Sequence, residues 1–107
     1  MARKKGFLAA EFSQRFNESY AALSHDQQRG ADRVLLALTK QEATPGMRVK
    51  PIEPEKYYSE ARINDGDRLV HRIEGAKLWV VDVVAHDDIA RYAKKGPGVS
   101  SRRERRP

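Results

Sequence analysis

The sequence predicts an α+β domain: a small antiparallel β-sheet of about four strands, with an N-terminal helical hairpin packed on one face and a short C-terminal helix. Three observations predict it. Apolar residues recur at helical spacing before residue 43 and at strand spacing after residue 57, and three prolines in residues 45–56 separate the two patterns. At 107 residues the chain suits one domain with one core, without disulfides or metal.

Taken in order, Gly6 to Phe12 is apolar at its centre and reads as a first strand, with helix as the alternative. Phe12, Phe16, Tyr20 and Leu23 then recur at i, i+4, i+8 and i+11, so they share one helical face. Ser24 with Gln27 three residues on has capping-box spacing, and Ala31, Val34, Leu35 and Leu38 carry a second stripe to about Glu42. Gly30 inside that helix costs about 1 kcal/mol relative to alanine and marks close packing. Thr44-Pro45-Gly46 ends the pair, residues 45–56 form an extended connection, and Tyr57 begins the strands.

Gly75-Ala76 between Glu74 and Lys77 suits a two-residue type II′ turn with glycine first, which sets Arg72 opposite Trp79 and His71 opposite Val80. The hairpin around Asn64-Asp65-Gly66-Asp67 admits two registers, and a one-residue slip reverses every side chain. A two-residue turn mixes charged and apolar residues on both faces. A three-residue loop, 64 to 66, with Gly66 left-handed, gathers Ala61, Ile63, Leu69, His71 and Ile73 on the face the helices cover. Tyr58, Glu60, Arg62, Arg68 and Arg72 then share the other. Leu78 to Ala85 is apolar on both faces apart from Asp82, as in a central strand. Asp87 and Asp88 open a short final helix through Tyr92 and Lys95.

The net charge of +6 is unevenly spread: residues 1–5 carry +3 and residues 94–107 carry +5, which leaves −2 between them. A basic arm at 1–5 and a basic, disordered tail at 96–107 therefore flank a domain at 6–95 whose body, residues 6–93, is mildly acidic. Such tails strengthen phosphate binding in a salt-dependent, sequence-blind way. The N-terminal apolar run is too short for a signal peptide and no window approaches a membrane span, so a soluble, cytoplasmic protein is expected. The lack of cysteine agrees with a reducing compartment without establishing one.

Arg62 directly opposite Arg68 is destabilising unless an anion answers the pair. One answer is a solvated sheet face neutralised by Glu60, Asp65 and Glu74. The other is a phosphate cradle in which guanidinium groups bind a nucleic-acid backbone, with Arg72 on the same face and Tyr58 or Trp79 offering a stacking surface. Trp79 also fits a core role. His86 sits where a strand ends and a helix begins, and histidine as a residue type titrates near neutrality, which suits proton transfer. His71, Asp82 and His86 share parity but lack tight ligand spacing, so no metal is expected, and no cofactor motif is present.

The ordered set of a strand, a helical hairpin, the connection Pro45-Gly46-Met47-Arg48-Val49-Lys50, then "ARINDGDRLVHRIEG", "KLWVVDVVAHDD" and a C-terminal aromatic resembles the RelE/ParE superfamily of bacterial toxins over about residues 7–95. That resemblance implies a toxin held inactive by a cognate antitoxin protein. In RelE-like members it implies a metal-independent endoribonuclease that cuts messenger RNA on the ribosome. Carried over by position, Arg62 and Arg68 stabilise phosphate charge, His86 is a candidate acid or base, and Tyr92 approximates the aromatic that stacks a base. Lys50 and Lys56 are candidates for RNA-backbone contacts. Asp87 and Asp88 stand where many ribonuclease members are basic, and ParE-like members poison DNA gyrase instead. A gyrase inhibitor and an inactive binding module are therefore the alternatives.

Overall fold

Two serine caps set the helical pair. Ser13 Oγ accepts from Phe16 N at 2.9 Å to start α1 (Gln14–Ala21), and Ser24 and Gln27 form a reciprocal capping box at the start of α2 (His25–Thr39). α2 stops at Thr39, short of Glu42, because Lys40 caps it and Gln41 takes a positive φ of 59°. The computed structural model describes residues 6–95; the basic arm 1–5 and the basic tail 96–107 lie outside the described residues. No helix among them is long and apolar enough to cross a membrane.

The strands are β1 (Ala9–Phe12), β2 (Lys50–Pro51), β3 (Ser59–Arg62), β4 (Asp67–Glu74) and β5 (Lys77–Ala85), in the order β1-β5-β4-β3-β2. The sheet has five strands, one more than expected, because the proline-rich connection pairs Lys50 and Pro51 with β3. β1 runs parallel to β5, and the intervening helical pair supplies the crossover that a parallel neighbour requires. All other pairings are antiparallel. Both hairpins take the expected registers, Arg62 opposite Arg68 and Glu74 opposite Lys77. Gly75 has the positive φ that its turn needs, 59°. Gly66 is not left-handed. The Asn64 side chain closes that loop instead, accepting from Gly66 N and Asp67 N, each at 2.8 Å.

Leu8, Phe16, Val34, Leu38 and Met47 pack on Ala61, Leu69, Leu78, Val80 and Val83 to form the core between helices and sheet. Gly30 belongs to this contact: a Cβ there would lie 2.9 Å from Cγ2 of Ile63, a branched side chain with little freedom to yield. Gly30→Ala is therefore expected to lower the thermal midpoint, although alanine is intrinsically the better helix residue by about 1 kcal/mol. Ile63→Ala in the same chain should offset the loss, which a double-mutant cycle by thermal unfolding reads directly.

The far face is not open. Ile52, Tyr58, Val70, Val81, Val84 and Tyr92 form a second core there, covered by residues 52–58 and by a C-terminal 3₁₀ segment, His86–Tyr92, in place of an α-helix. A β-bulge makes room for it. Val70 pairs with Asp82 but His71 pairs with Val80, so Val81 is the extra residue and the side chains of β5 change phase. Val81 and Val84 then face the second core while Val80 and Val83 face the first. The equal parity of His71, Asp82 and His86 in the sequence is broken by the same bulge. Among the described residues no three His, Asp or Glu side chains form a metal-binding group.

His71 is 1 % exposed beside Val80, and its Nδ1 has no hydrogen-bond partner. Burial holds its imidazole down at about 4. The unfolded chain thus binds a proton that the folded chain refuses, so stability is full above pH 6.5 and falls as the pH drops toward 4. The expected loss is on the order of 3 kcal/mol. His71→Leu should remove that part of the pH dependence, measured as denaturant midpoints at pH 7 and pH 4.5.

Candidate functional site

The sheet end nearest the first hairpin holds a groove of about 820 Å³. Its floor is Glu60 and Arg62 of β3 with Arg68 of β4. One wall is Arg48, Lys50 and Glu53 from the connection, and the other is His86, Asp87, Ile89 and Ala90 from the C-terminal segment. The cross-strand register brings the two floor arginines together, and the groove answers their repulsion locally. Arg68 Nε lies 3.7 Å from Glu60 Oε1, and its Nη1 donates to the carbonyls of Asn64, Asp67 and Asp65 at 2.7, 3.0 and 3.2 Å. Arg62 Nη2 pairs with Asp65.

These contacts fix the guanidinium groups before any ligand arrives. Arg68 is held by a loop whose shape depends on Asn64, and Glu60 is held in turn by Arg68, both side chains being nearly buried at 13 % and 11 % exposure. Preorganised donors of this kind stabilise a developing anion without reorganising at the moment of reaction. His86 is more exposed: its side chain is 62 % accessible, Nδ1 lies 3.4 Å from Asp87 Oδ1, and its backbone N–H is tied to Gly66 O at 2.8 Å. The strand end and the hairpin loop are thereby joined beside the groove.

Of the residues singled out in the sequence, Lys50, Arg62, Arg68 and His86 meet here. Three do not. Tyr92 is 0 % exposed, its ring edge-on to Tyr58 at 5.5 Å and its hydroxyl donating to Asp82, so it has no face on which to stack a base. Burial, and then Asp82, push its phenol well above the usual range, which keeps it a donor. Tyr58, 1 % exposed, is equally unable to stack a base. Arg72 lies along β4 at a separate cleft, where it stacks on Tyr57 and donates through Nη1 to Tyr57 O at 2.8 Å. Lys56 stands outside the groove lining and pairs with Glu53 at 3.7 Å.

Arg48 and Glu60 are the additions. Arg48 reaches the groove from a left-handed backbone, φ 46° and ψ 49°, just after a 3₁₀ turn at Pro45–Met47. An arginine tolerates that conformation only at some cost in strain. The signal in the sequence was the basic pair Arg48 and Lys50 behind Pro45-Gly46, but the positive φ that aims Arg48 has no sequence signature. Of the two acidic residues that follow His86, only Asp87 lines the groove.

No protein-family model matches the chain, and no curated protein matches it in sequence. Solved structures do. A chain of the DinJ-YafQ toxin-antitoxin complex of E. coli superposes with a TM-score of 0.66 at 12 % identity, over 75 % of this chain and 93 % of that one. The RelBE2 toxin-antitoxin complex of Mycobacterium tuberculosis gives 0.60 at 16 %, over 75 % and 99 %. The YoeB-YefM complex of Staphylococcus aureus gives 0.62 at 19 %, over 79 % and 99 %. The fold is that of the RelE-like toxins. Nearly the whole of each RelE-like chain finds a counterpart, so the α+β arrangement of a helical pair on a mostly antiparallel sheet is the complete RelE-like unit.

Proposed function

We propose that the chain is the toxin of a toxin-antitoxin pair and an endoribonuclease that cuts messenger RNA on the ribosome, with the basic groove as its active site. The observation that carries this reading is the convergence of Arg48, Lys50, Arg62, Arg68, Glu60 and His86 on one groove. RNA cleavage by transesterification needs a base, a cationic cradle and an acid, and these side chains supply all three without recourse to a metal. Glu60 removes the proton of the 2′-hydroxyl, whose oxygen attacks the adjacent phosphorus. Arg62 and Arg68 neutralise the phosphorane, and His86 gives a proton to the leaving 5′-oxygen. A 2′,3′-cyclic phosphate and a 5′-hydroxyl end result.

Residues 6–95 form the toxin domain in this reading, and the basic residues of 1–5 and 96–107 add salt-dependent attraction to the ribosome's RNA. The protein works in the cytoplasm, its partner a cognate antitoxin that silences it, as DinJ, RelB and YefM accompany the toxins in the complexes above. Purified protein added to translating ribosomes should yield cut messenger RNA with those two end groups, and a 2′-deoxy sugar at the cut should abolish it. One observation favours a second reading: the groove wall includes the acidic Glu53 and Asp87, and the buried Tyr92 leaves it without the family's stacking aromatic. Intact messenger RNA with cleaved DNA accumulating would assign the protein to gyrase inhibition instead. Expression without growth arrest would make it a binding module.

A further inference from the structure

We infer that the cleft at the opposite end of the far face is a nucleobase subsite, in which Tyr57, Arg72 and Trp79 receive one unpaired base of the strand whose phosphate lies in the groove; this rests on the nuclease reading. The cleft holds about 400 Å³, within the range of about 300–1,000 Å³ typical of small-ligand sites. Its lining is mostly apolar and aromatic, with Tyr57, Tyr58 and Trp79 around Arg72. The Arg72 guanidinium lies 3.8 Å over the Tyr57 ring, which leaves its second face to the cleft, and Trp79 stands directly opposite on β5.

The guanidinium is also short of acceptors. Nη1 is met by Tyr57 O at 2.8 Å, but Nη2 reaches Glu74 only at 3.5 Å and the buried Nε has no partner. A buried donor without an acceptor costs about 1–3 kcal/mol; a base stacked on the guanidinium lies in a parallel plane and leaves Nε unmet, so what Arg72 offers a base is its planar face. Charge argues for a base here and against a phosphate. Arg72 is offset by Glu74, and Lys77, 4.8 Å over the Trp79 ring, is offset by Glu11 at 3.0 Å. The cleft is thus close to neutral, while the groove holds Arg48 and Lys50, for which no ion pair is present among the described residues. Arg68 and Arg72 are four residues apart on one strand, about 13 Å, with the cover over Val70 between them, so a single strand that reaches both passes across that cover.

Trp79 is the single tryptophan of the chain and reports directly on the cleft. The full chain is titrated with a short single-stranded RNA made uncleavable by a 2′-deoxy sugar, following tryptophan fluorescence and, separately, anisotropy of a dye on the RNA. Trp79 should be quenched as the strand binds. Arg72→Ala and Arg72→Lys alike should raise the half-quenching concentration roughly tenfold, since stacking is worth about 1–3 kcal/mol per base and lysine has no plane to offer. A strand with abasic sites flanking the cut needs no variant: it should still bind by anisotropy without quenching Trp79. Binding by anisotropy with Trp79 unchanged, or a wild-type response from Arg72→Lys, overturns the subsite and leaves the groove reading intact. No binding at all overturns the subsite and leaves the ribosome-dependent groove reading to the cleavage test above. Quenching by an acidic aromatic peptide but not by RNA overturns it in favour of a protein-docking cleft.

Discussion

Arg68→Ala should lower RNA cleavage by about 10²–10³-fold, the loss typical of removing one preorganised donor to a developing oxyanion. The magnitude follows from how Arg68 is held. Three backbone carbonyls and Glu60 fix its guanidinium across from Arg62, so alanine removes both charge and orientation at a point where no mobile side chain can substitute. Arg68→Lys keeps the charge but cannot span the same carbonyls and Glu60 with a single ammonium group, so it should recover only a minor part of the rate. The alanine variant also strands the nearly buried Glu60 carboxylate, and a fall in the thermal midpoint is expected with it. Arg68→Ala combined with Glu60→Gln tests the stability effect alone: it removes the unpaired charge and should restore the thermal midpoint, while its cleavage, lacking the base as well, does not bear on Arg68. Single-turnover rates on programmed ribosomes, read beside thermal unfolding, decide the matter. Wild-type cutting by a folded Arg68→Ala protein would dispose of the groove as the active site.

What the sequence showed and what it hid divide along a physical line. Caps and turns are local chemistry, so Ser24 with Gln27 and Gly75 with Ala76 were readable residue by residue. The register that sets Arg62 against Arg68 was readable too, because only one register buries Ala61 and Leu69 together. The far-face cover was not. It is built from a seven-residue 3₁₀ segment and a proline-rich connection, neither long enough to show a period, and it sits over β5 only because a bulge at Val81 shifts the strand's phase. A bulge leaves no mark in an all-valine run such as Val80-Val81, since either phase is apolar. The consequence reached the site: strict alternation left the far face bare and placed Tyr58 and Arg72 on one open surface, to which the resemblance added Tyr92 as a stacking aromatic. The bulge and its cover instead bury the two tyrosines and split the surface into a groove and a cleft.

Asp82→Ala should be the most destabilising single change in the domain, by about 3–5 kcal/mol, as expected when a buried charge is removed from its partners. The carboxylate is 0 % exposed and answers four donors: Ser19 Oγ at 2.7 Å, Val83 N at 2.8 Å, the Tyr92 hydroxyl, and Arg15 Nε at 3.4 Å. Two of these come from α1 and one from the C-terminal segment, so one side chain ties both cover layers to the central strand. Its loss leaves the Tyr92 hydroxyl and Val83 N–H buried without an acceptor, at about 1–3 kcal/mol for each group. A domain of this size loses about 4–8 °C per kcal/mol, so a fall in thermal midpoint of roughly 15–30 °C is expected. Tyr92→Phe deletes one donor and keeps the ring against Tyr58, so it should cost only about 1–2 kcal/mol. Because the two side chains share one bond, the double variant should be little worse than Asp82→Ala alone. Activity sharpens the distinction. Tyr92→Phe should cut RNA at close to the wild-type rate at 20 °C, where the domain stays folded, because the hydroxyl holds the C-terminal segment in place and does not reach the groove. A large loss of rate in a Tyr92→Phe protein of near-native stability would instead place that hydroxyl in the chemistry, against its burial beneath Tyr58 and Asp82.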